Sequence, residues 1–208
     1  MASPSKALDS AFVGELLGRS DFAIIGEIIE PNSKVLDLGC GEGELLQWLA
    51  QNKNVDARGV EISPAKVRRA IGRGVSAYQG DIDEGLADYP DQAFDYVLLS
   101  QTLQETRAPL KVLREMLRVG RRVIVAFPNF GHWKVRLSML FTGQAPKTEL
   151  FPYEWFDSPN IHILSVSDFE QLAEREGMRI ERRFFLSGSR KITVLPNLLA
   201  EVAVFLVA

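Results

Sequence analysis

The sequence predicts an α/β protein in which one mostly parallel sheet is covered by helices on both faces. Short runs of aliphatic and β-branched residues alternate with stretches of helical periodicity, which is typical of such folds. No internal repeat and no Ser/Gly-rich or Pro-rich linker divides the chain. We therefore predict a single domain over residues 1–208, and the 46% of hydrophobic residues are typical of a globular protein.

The first half of the chain contains three predicted strands separated by two predicted helices. Leu45, Leu46 and Leu49 recur at helical spacing behind the first strand. Ser63 and Pro64 predict the start of the second helix, because serine caps free amides and proline tolerates the first helical position. The predicted strands are residues 35–38, 55–60 and 75–79, and the predicted helices are residues 42–51 and 64–72.

The second half of the chain adds four strands and two helices. Pro109 and Gly120 bound one helix, and Ser167 with Glu170 three residues later predicts a capping box for another, which ends at Gly177. The strands are predicted at residues 94–100, 122–127, 179–186 and 201–207. We expect no helix between the last two, so the sequence predicts a seven-stranded sheet with a C-terminal antiparallel hairpin.

Two regions depart from this alternation. Residues 1–30 carry apolar spacing typical of one or two helices ahead of the sheet, and residues 128–164 are long, aromatic and irregular. A connection of that length is more often a binding or lid element than an idle loop. Its aromatic side chains could form a lid, a surface for a partner or a second small core, and the sequence leaves these alternatives open.

The strongest motif is the loop Asp-Leu-Gly-Cys-Gly-Glu-Gly at residues 37–43, directly after the first predicted strand. Glycines permit a tight turn and let a ligand lie against bare backbone. A dinucleotide-binding loop needs glycine at its first, third and sixth positions, but Glu44 holds the sixth. Asp37 and Glu42 would also face a pyrophosphate with the wrong charge. The loop therefore favours a neutral or cationic ligand.

Acidic residues follow the next two strands. Glu61 ends the second strand at roughly the 20-residue offset at which a carboxylate meets ribose hydroxyls in nucleoside-binding folds. Asp81 follows Gly80 after the third strand, where a polar group could meet an adenine edge. Each signal is weak alone, because Gly-Asp is common turn chemistry and acids at strand ends are usually solvated. Their order after the glycine loop predicts a nucleoside site.

The glycine loop, the acid after the second strand and Gly-Asp after the third together resemble the class I S-adenosylmethionine-dependent methyltransferases. This resemblance implies a Rossmann-like fold and S-adenosylmethionine, or its product S-adenosylhomocysteine, as the cofactor. The cofactor-binding residues that it implies are Asp37, Gly39, Cys40, Gly41, Gly43, Glu61, Ile62, Asp81, Ile82, Ser100 and Gln101.

The resemblance also implies a role for several of these residues. The loop glycines would pass under the methionine part of the ligand, whose amino group Asp37 would help to hold. Glu61 would take the ribose hydroxyls, and Ile62 would pack on adenine. Asp81 and the Ile82 amide would read the adenine edge.

Three further blocks make the resemblance more specific. They are Phe-Pro-Asn-Phe-Gly-His-Trp at 127–133, Pro-Tyr-Glu-Trp at 152–155 and Ser-Pro-Asn-Ile-His at 158–162. With the glycine loop, they resemble the methionine biosynthesis protein MetW family. That family implies a role beside homoserine O-acyltransferase (MetX), and no acyltransferase nucleophile is evident in this sequence. The alternative is an S-adenosylmethionine-dependent methyltransferase that acts on an unidentified small molecule.

Candidate catalytic residues fall in the aromatic segment 128–164. Methyl transfer needs mainly alignment of acceptor and methyl group, and a general base helps when the acceptor starts protonated. His132, Tyr153 and His162 are the candidates for that base, although both histidines could equally be packed or hydrogen-bonded loop residues. No Cys/His cluster has zinc spacing, so we expect no metal.

Charge and cysteine content predict the compartment and the class of partner. The net charge of −3 argues against a dedicated nucleic-acid binder. The single cysteine, Cys40, fits a reducing compartment. No apolar run has the length of a signal peptide or membrane span. The sequence therefore predicts a cytoplasmic protein that binds a small molecule and has neither nucleic acid nor membrane as a partner.

Overall fold

Eight strands form one mixed sheet in the computed structural model, which describes residues 19–208. The strands are β1 (Lys34–Leu38), β2 (Asp56–Glu61), β3 (Ser76–Gln79), β4 (Phe94–Ser100), β5 (Gly120–Pro128), β6 (Ile180–Ser187), β7 (Arg190–Lys191) and β8 (Val202–Val207). Their order across the sheet is β3-β2-β1-β4-β5-β8-β6-β7. β1 to β5 are parallel, and β8 pairs antiparallel with both β5 and β6.

Helices cover both faces of the sheet. They are α1 (Ser20–Ile28), α2 (Glu44–Lys53), α3 (Pro64–Gly72), α4 (Pro109–Val119), α5 (Trp133–Thr142), α6 (Val166–Glu176) and α7 (Pro196–Leu199). Apolar side chains of α1, α2 and α3 form one buried cluster with the sheet, and those of α4 and α6 form a second. The predicted α/β architecture with helices on both faces is confirmed.

The order of the strands places a cleft in the middle of one sheet edge. From β1 the chain moves outward through β2 to β3, and it then crosses back to pair β4 with the other side of β1. The loops that follow β1 and β4 therefore diverge at the carboxyl ends of these strands. Ligands bind at such switch points in open parallel sheets.

Two predicted helix starts are wrong by two residues, for local reasons. Gly43 adopts a left-handed φ of 77° that a helix cannot contain, so α2 begins at Glu44 and not at Glu42. The capping box joins Ser165 and Asp168, not Ser167 and Glu170. Burial of Val166 explains the shift, because the first turn of α6 must already face the core.

The prediction of seven strands is also wrong. The additional strand, β7, is only two residues long and forms a hairpin with β6. A short helix, α7, lies between β7 and β8, where we expected none. The antiparallel pairing of the two long C-terminal strands, β6 and β8, is confirmed, although the connection between them is not a tight turn.

Both regions that departed from the predicted alternation, residues 1–30 and 128–164, contain a helix. α1 confirms a helix ahead of the sheet, whereas the apolar spacing of Leu8, Phe12 and Leu16 lies outside the described residues. The segment 128–164 is not irregular throughout, because it contains α5. Within residues 19–208, no helix is both long and apolar enough to cross a membrane.

A buried asparagine joins the C-terminal half of the fold. The Asn129 side chain donates to the carbonyl oxygens of Asn197 (3.1 Å) and Ala200 (2.8 Å). Its own amide oxygen accepts from the backbone N–H of Gly131 (2.9 Å) and of Val166 (3.2 Å). One fully buried side chain therefore ties the end of β5 to α6 and α7.

We expect Asn129→Ala to lower the free energy of unfolding by about 3 kcal/mol or more, because each buried polar group left unpaired costs about 1–3 kcal/mol. Urea denaturation measures the change. The matched control is Asn52→Ala, whose exposed side chain donates a single bond within α2, and we expect a change of about 0.5 kcal/mol or less. Equal losses in the two variants would show that Asn129 has no special role.

Candidate functional site

A cavity of about 340 Å³ opens at the carboxyl ends of β1, β2 and β4. This volume is in the range of small-molecule sites. Eight of the eleven residues predicted to bind a cofactor line it: Gly39, Gly41, Glu61, Ile62, Asp81, Ile82, Ser100 and Gln101. The structure therefore brings together side chains and backbone from four separate loops.

The glycine loop uses its own amides. The N–H groups of Gly39 and Cys40 both donate to the Val60 carbonyl, at 2.8 and 3.1 Å, and that of Gly43 donates to the Cys40 carbonyl. Gly39 takes a φ of 77°, and a Cβ there would lie 2.7 Å from the Thr102 hydroxyl, so this position needs glycine. Because these amides are already bonded, they are not free to cradle a diphosphate.

Glu61 fixes the loop from the end of β2. Its carboxylate accepts from the backbone N–H of Gly41 at 3.0 Å and from that of Ser63 at 2.9 Å. The side chain is 5% exposed and still lines the cavity. Each carboxylate oxygen has a further lone pair, so Glu61 can also accept hydrogen bonds from a ligand.

Asp37 lies beneath the loop as a buried carboxyl group. Burial raises its pKa from 3.8 to about 7, with smaller contributions from the charges of Arg19, which lowers it, and of Asp21 and Glu61, which raise it. Burial and neighbouring charges account for this pKa, and no hydrogen bond from residues 19–208 contributes to it. The site therefore carries a carboxylate whose charge is incompletely compensated, and such a group favours a cation nearby.

Asp21 lies close to Asp37 and has partners of its own. Arg19 donates to it through Nε (3.2 Å) and Nη2 (2.5 Å), and the Ser100 hydroxyl donates to it at 2.5 Å. The same Arg19 Nη2 also donates to Ser100 at 2.8 Å and lines the cavity. The guanidinium of Arg19 therefore lies at the β4 side of the cleft, held there by Asp21 and Ser100.

The acidic turn after β3 is held by an arginine. Asp81 accepts from the backbone N–H of Asp83 at 2.9 Å and pairs with Arg107 at 2.5 Å. Asp83 accepts from the N–H groups of Arg107 and Ala108 at the start of α4. Across the cleft, the apolar side chain of Ile62 is 62% exposed and is available to pack against a flat ligand.

Three predicted cofactor-binding residues do not line the cavity. Asp37 lies buried below it, and Gly43 directly precedes α2, where a Cβ would meet Ala70 at 3.0 Å. Cys40 packs its sulfur into the space that Gly59 leaves, because a Cβ at Gly59 would lie 2.4 Å from it. Burial, followed by the charges of nearby carboxylates, raises the Cys40 pKa to about 12, so the thiol stays protonated.

None of the three candidate catalytic residues lines the cavity. His132 is 3% exposed and packs on Trp133, and burial lowers its pKa. Tyr153 is exposed. The backbone N–H of His162 donates to the Gln104 carbonyl, while its ring Nε2 is buried without a partner among residues 19–208.

Six further polar residues line the cavity and were not predicted as site residues: Arg19, Lys66, Asp83, Thr102, Glu105 and Thr106. Burial raises the pKa of Glu105, which lies in a 3₁₀ turn after β4. Gln101, just before this turn, takes a left-handed φ of 56°, a strained conformation for a residue with a side chain. An acid five residues after a predicted strand was the available signal for Glu105.

In the described part of the chain, no group of three or more His, Cys, Asp or Glu residues is arranged to hold a metal.

The strand order and the cleft at its switch point define a class I methyltransferase fold. An S-adenosylmethionine-dependent methyltransferase of Archaeoglobus fulgidus superposes with a TM-score of 0.69 at 15% identity, covering 93% of each chain. At this identity the similarity establishes the fold alone. The Rossmann-like fold predicted from the sequence is confirmed.

Sequence comparison places the chain within this class. The family described as methionine biosynthesis protein MetW matches residues 19–207, and the chain belongs to that family. The bifunctional methionine biosynthesis protein MetXA/MetW of Rhodopirellula baltica is 32% identical over 191 residues. The match covers 86% of this chain but 31% of that protein, so the chain spans about a third of its relative's length.

A second kind of relative matches a smaller part of the chain. The ajmaline N-methyltransferase of Rauvolfia serpentina is 36% identical over 94 residues, which are 41% of this chain and 32% of that enzyme. The similarity to methyltransferases is therefore partial, whereas the similarity to the MetW family runs through nearly the whole described chain.

Proposed function

We propose that the protein binds S-adenosylmethionine or S-adenosylhomocysteine in this cleft and acts with homoserine O-acyltransferase in methionine biosynthesis, in the cytoplasm. The observation that carries the proposal is the Rhodopirellula relative, whose name joins MetXA to MetW in one polypeptide. Two activities fused in one chain commonly act in one process. The partner would perform the acyl transfer, because no nucleophile of that kind is evident in this chain.

The chemistry of the cleft supports the choice of ligand. S-adenosylmethionine carries a sulfonium and an ammonium group. The carboxylate of Glu61 lines the cleft, and the carboxyl group of Asp37 lies buried beneath the glycine loop. The loop amides are already bonded within the protein, which disfavours a dinucleotide diphosphate. We assign Asp37 to the ligand's amino group, Glu61 to its ribose hydroxyls, and Ile62 and Asp81 to adenine. Arg19 is suited to the ligand's carboxylate.

Thermal unfolding with a panel of nucleotides tests the ligand. At 100 times its dissociation constant, S-adenosylmethionine should add about 2.7 kcal/mol of stability. NAD should add none. Stabilisation by NAD in place of S-adenosylmethionine would contradict the ligand assignment.

Co-purification and acyltransferase assays of the two proteins, mixed and separate, test the partner. We expect a complex that survives gel filtration and an acyltransferase activity that changes when this protein is added. An acyltransferase that is fully active alone and forms no complex would contradict the proposal.

We expect binding of S-adenosylmethionine to weaken as the pH falls below about 7. A cationic ligand binds the ionised form of Asp37, whose pKa burial raises to about 7, so protons compete with the ligand. The dissociation constant should rise about tenfold for each pH unit between 7 and 5.5, and it should be flat above 7.5. Calorimetric titrations measure it. Asp37→Asn should remove the slope, and an equal slope in that variant would assign the effect to another group.

A methyltransferase acting on a small molecule is the second candidate function, and Glu105 is the observation that favours it. Its carboxyl group lines the cavity, and burial raises its pKa, as suits a general base. Incubation with labelled S-adenosylmethionine and a metabolite extract tests this function. A labelled product that disappears with Glu105→Gln would support it, and the absence of any product would leave the accessory role as the better proposal.

A further inference from the structure

Helix α5 exposes an apolar face to solvent. Trp133, Leu137, Leu140 and Phe141 recur at i, i+4, i+7 and i+8, so they share one side of the helix. Leu140 and Phe141 are 74% and 79% exposed. We call these four residues the α5 stripe.

The apolar face of α5 points to solvent, whereas the apolar face of an ordinary surface helix points to the core. Val135 is its one buried residue, and at 100° per residue it lies nearly opposite the centre of the α5 stripe. A surface helix usually turns its apolar side to the core and its polar side to water. Here Val135 is the one buried side chain, and Arg136 holds the helix by donating to the carbonyl oxygens of Gly131 and Asn197. Residues 19–208 leave much of the wider apolar face exposed.

The exposed apolar area around this helix is large. Trp133 and Leu137 are 41% and 40% exposed, less than the other two residues of the stripe. Together the four side chains expose on the order of 450 Å², if each accounts for about 200 Å². That is more than half of the roughly 800 Å² that each partner buries in a stable interface. Patches of this size mark interaction sites.

We propose that the α5 stripe is the surface that docks onto homoserine O-acyltransferase. This inference rests on the proposed function, because it takes the partner from there. The relative that joins MetXA to MetW matches 86% of this chain, and 132 residues precede α5 while 66 follow it. The unmatched residues are too few for the match to stop short of α5 on either side. The stripe thus lies within the part of the chain that occurs fused to the other activity.

Apolar docking also fits the charge of the helix. Lys134 and Arg136 flank the α5 stripe and are exposed, with Lys134 3.8 Å from Glu201 and Arg136 donating to the Gly131 carbonyl. A buried apolar centre with a polar rim is the usual anatomy of a protein interface. The expected partner surface is therefore an apolar groove with acidic groups at its edge.

The test is the double variant Leu140→Glu with Phe141→Glu, measured against the purified acyltransferase of the same organism. We expect the dissociation constant to rise about thirtyfold or more, as for loss of one hot-spot residue. The matched control is Ile71→Glu on α3, an exposed apolar residue at 56% that lies outside the stripe, and its affinity should stay within about threefold of the original. Glutamate is a good helix former, so both variants should fold.

The outcomes separate this inference from the proposed function. If the original protein binds the acyltransferase and the double variant binds equally well, the surface is wrong and the proposed function stands. If the original protein does not bind, the partner is wrong and the inference fails with it. Loss of self-association by light scattering, with partner binding intact, would assign the stripe to a second copy. Loss of the thermal shift with S-adenosylmethionine would assign it to the protein's own ligand site. Either result would overturn the inference.

Discussion

Replacing Asp37 by Asn is expected to stabilise the unliganded protein at pH 8 by about 2–4 kcal/mol and to weaken its binding of S-adenosylmethionine at least a hundredfold. Burial raises the Asp37 pKa to about 7, whereas the unfolded chain keeps the ordinary value of 3.8. Each pKa unit corresponds to about 1.4 kcal/mol, so ionising this group in the fold costs up to about 4 kcal/mol. Asparagine has a similar shape and carries no charge.

The size of this stabilisation depends on pH. Because the folded pKa lies above the unfolded one, the cost is absent below about pH 4 and grows as the pH rises to about 7. Urea unfolding at pH 5 and pH 8 should therefore show a larger gain for the variant at pH 8. A loss of stability at pH 8, or an equal change at both values, would contradict our account of Asp37.

The matched control is Asp21→Asn. Asp21 is as deeply buried as Asp37, at 3% exposed, but it accepts hydrogen bonds from Arg19 and Ser100. Removing its charge leaves the guanidinium with a weaker partner, so we expect this variant to lose stability at pH 8. Two neighbouring carboxylates should thus respond to the same substitution with opposite signs.

The second large effect is expected for Glu61→Gln, which should weaken binding of S-adenosylmethionine by about 100- to 1000-fold. The carboxylate accepts from Gly41 and Ser63, one bond at each oxygen. A glutamine can accept at one side only, and its NH₂ group would oppose the other N–H. Hydrogen bonds to charged groups contribute about 1.5–3 kcal/mol each, and the proposed ribose contacts would be weakened as well.

Calorimetry measures the affinity, and the melting temperature of the unliganded variant reports the loosened loop. Glu105→Gln is the matched control, because it also lines the cavity but accepts no bond that holds the glycine loop. Its affinity should change by less than about fivefold. If both variants bind as the original protein does, the assignment of the ribose contact to Glu61 is wrong.

Much of the fold followed from local patterns. The short apolar run before the glycine loop predicted β1, and Ser63 with Pro64 marked the start of α3, where the serine side chain accepts from Lys66. Half of the sixteen residues that line the cavity were predicted, because strand ends and glycines are visible in the sequence. Their roles towards a ligand stay predictions.

The features that were missed depend on contacts between distant parts of the chain. Arg19 reaches the cleft because it bonds to Ser100, 81 residues away, and its guanidinium lies over Phe22. Nothing in its local sequence indicates this position. β7 is too short to leave a pattern. α5 begins after His132, which makes no side-chain capping bond, so the usual start signal of a helix is absent.

The placement of Cys40 has a consequence for how the protein responds to oxidative stress. Its sulfur fills the gap beside Gly59, and burial with the nearby carboxylates raises the thiol pKa to about 12, so very little of the reactive thiolate forms at neutral pH. We therefore expect peroxides and alkylating reagents to modify the glycine loop slowly, although it carries the single cysteine of the chain.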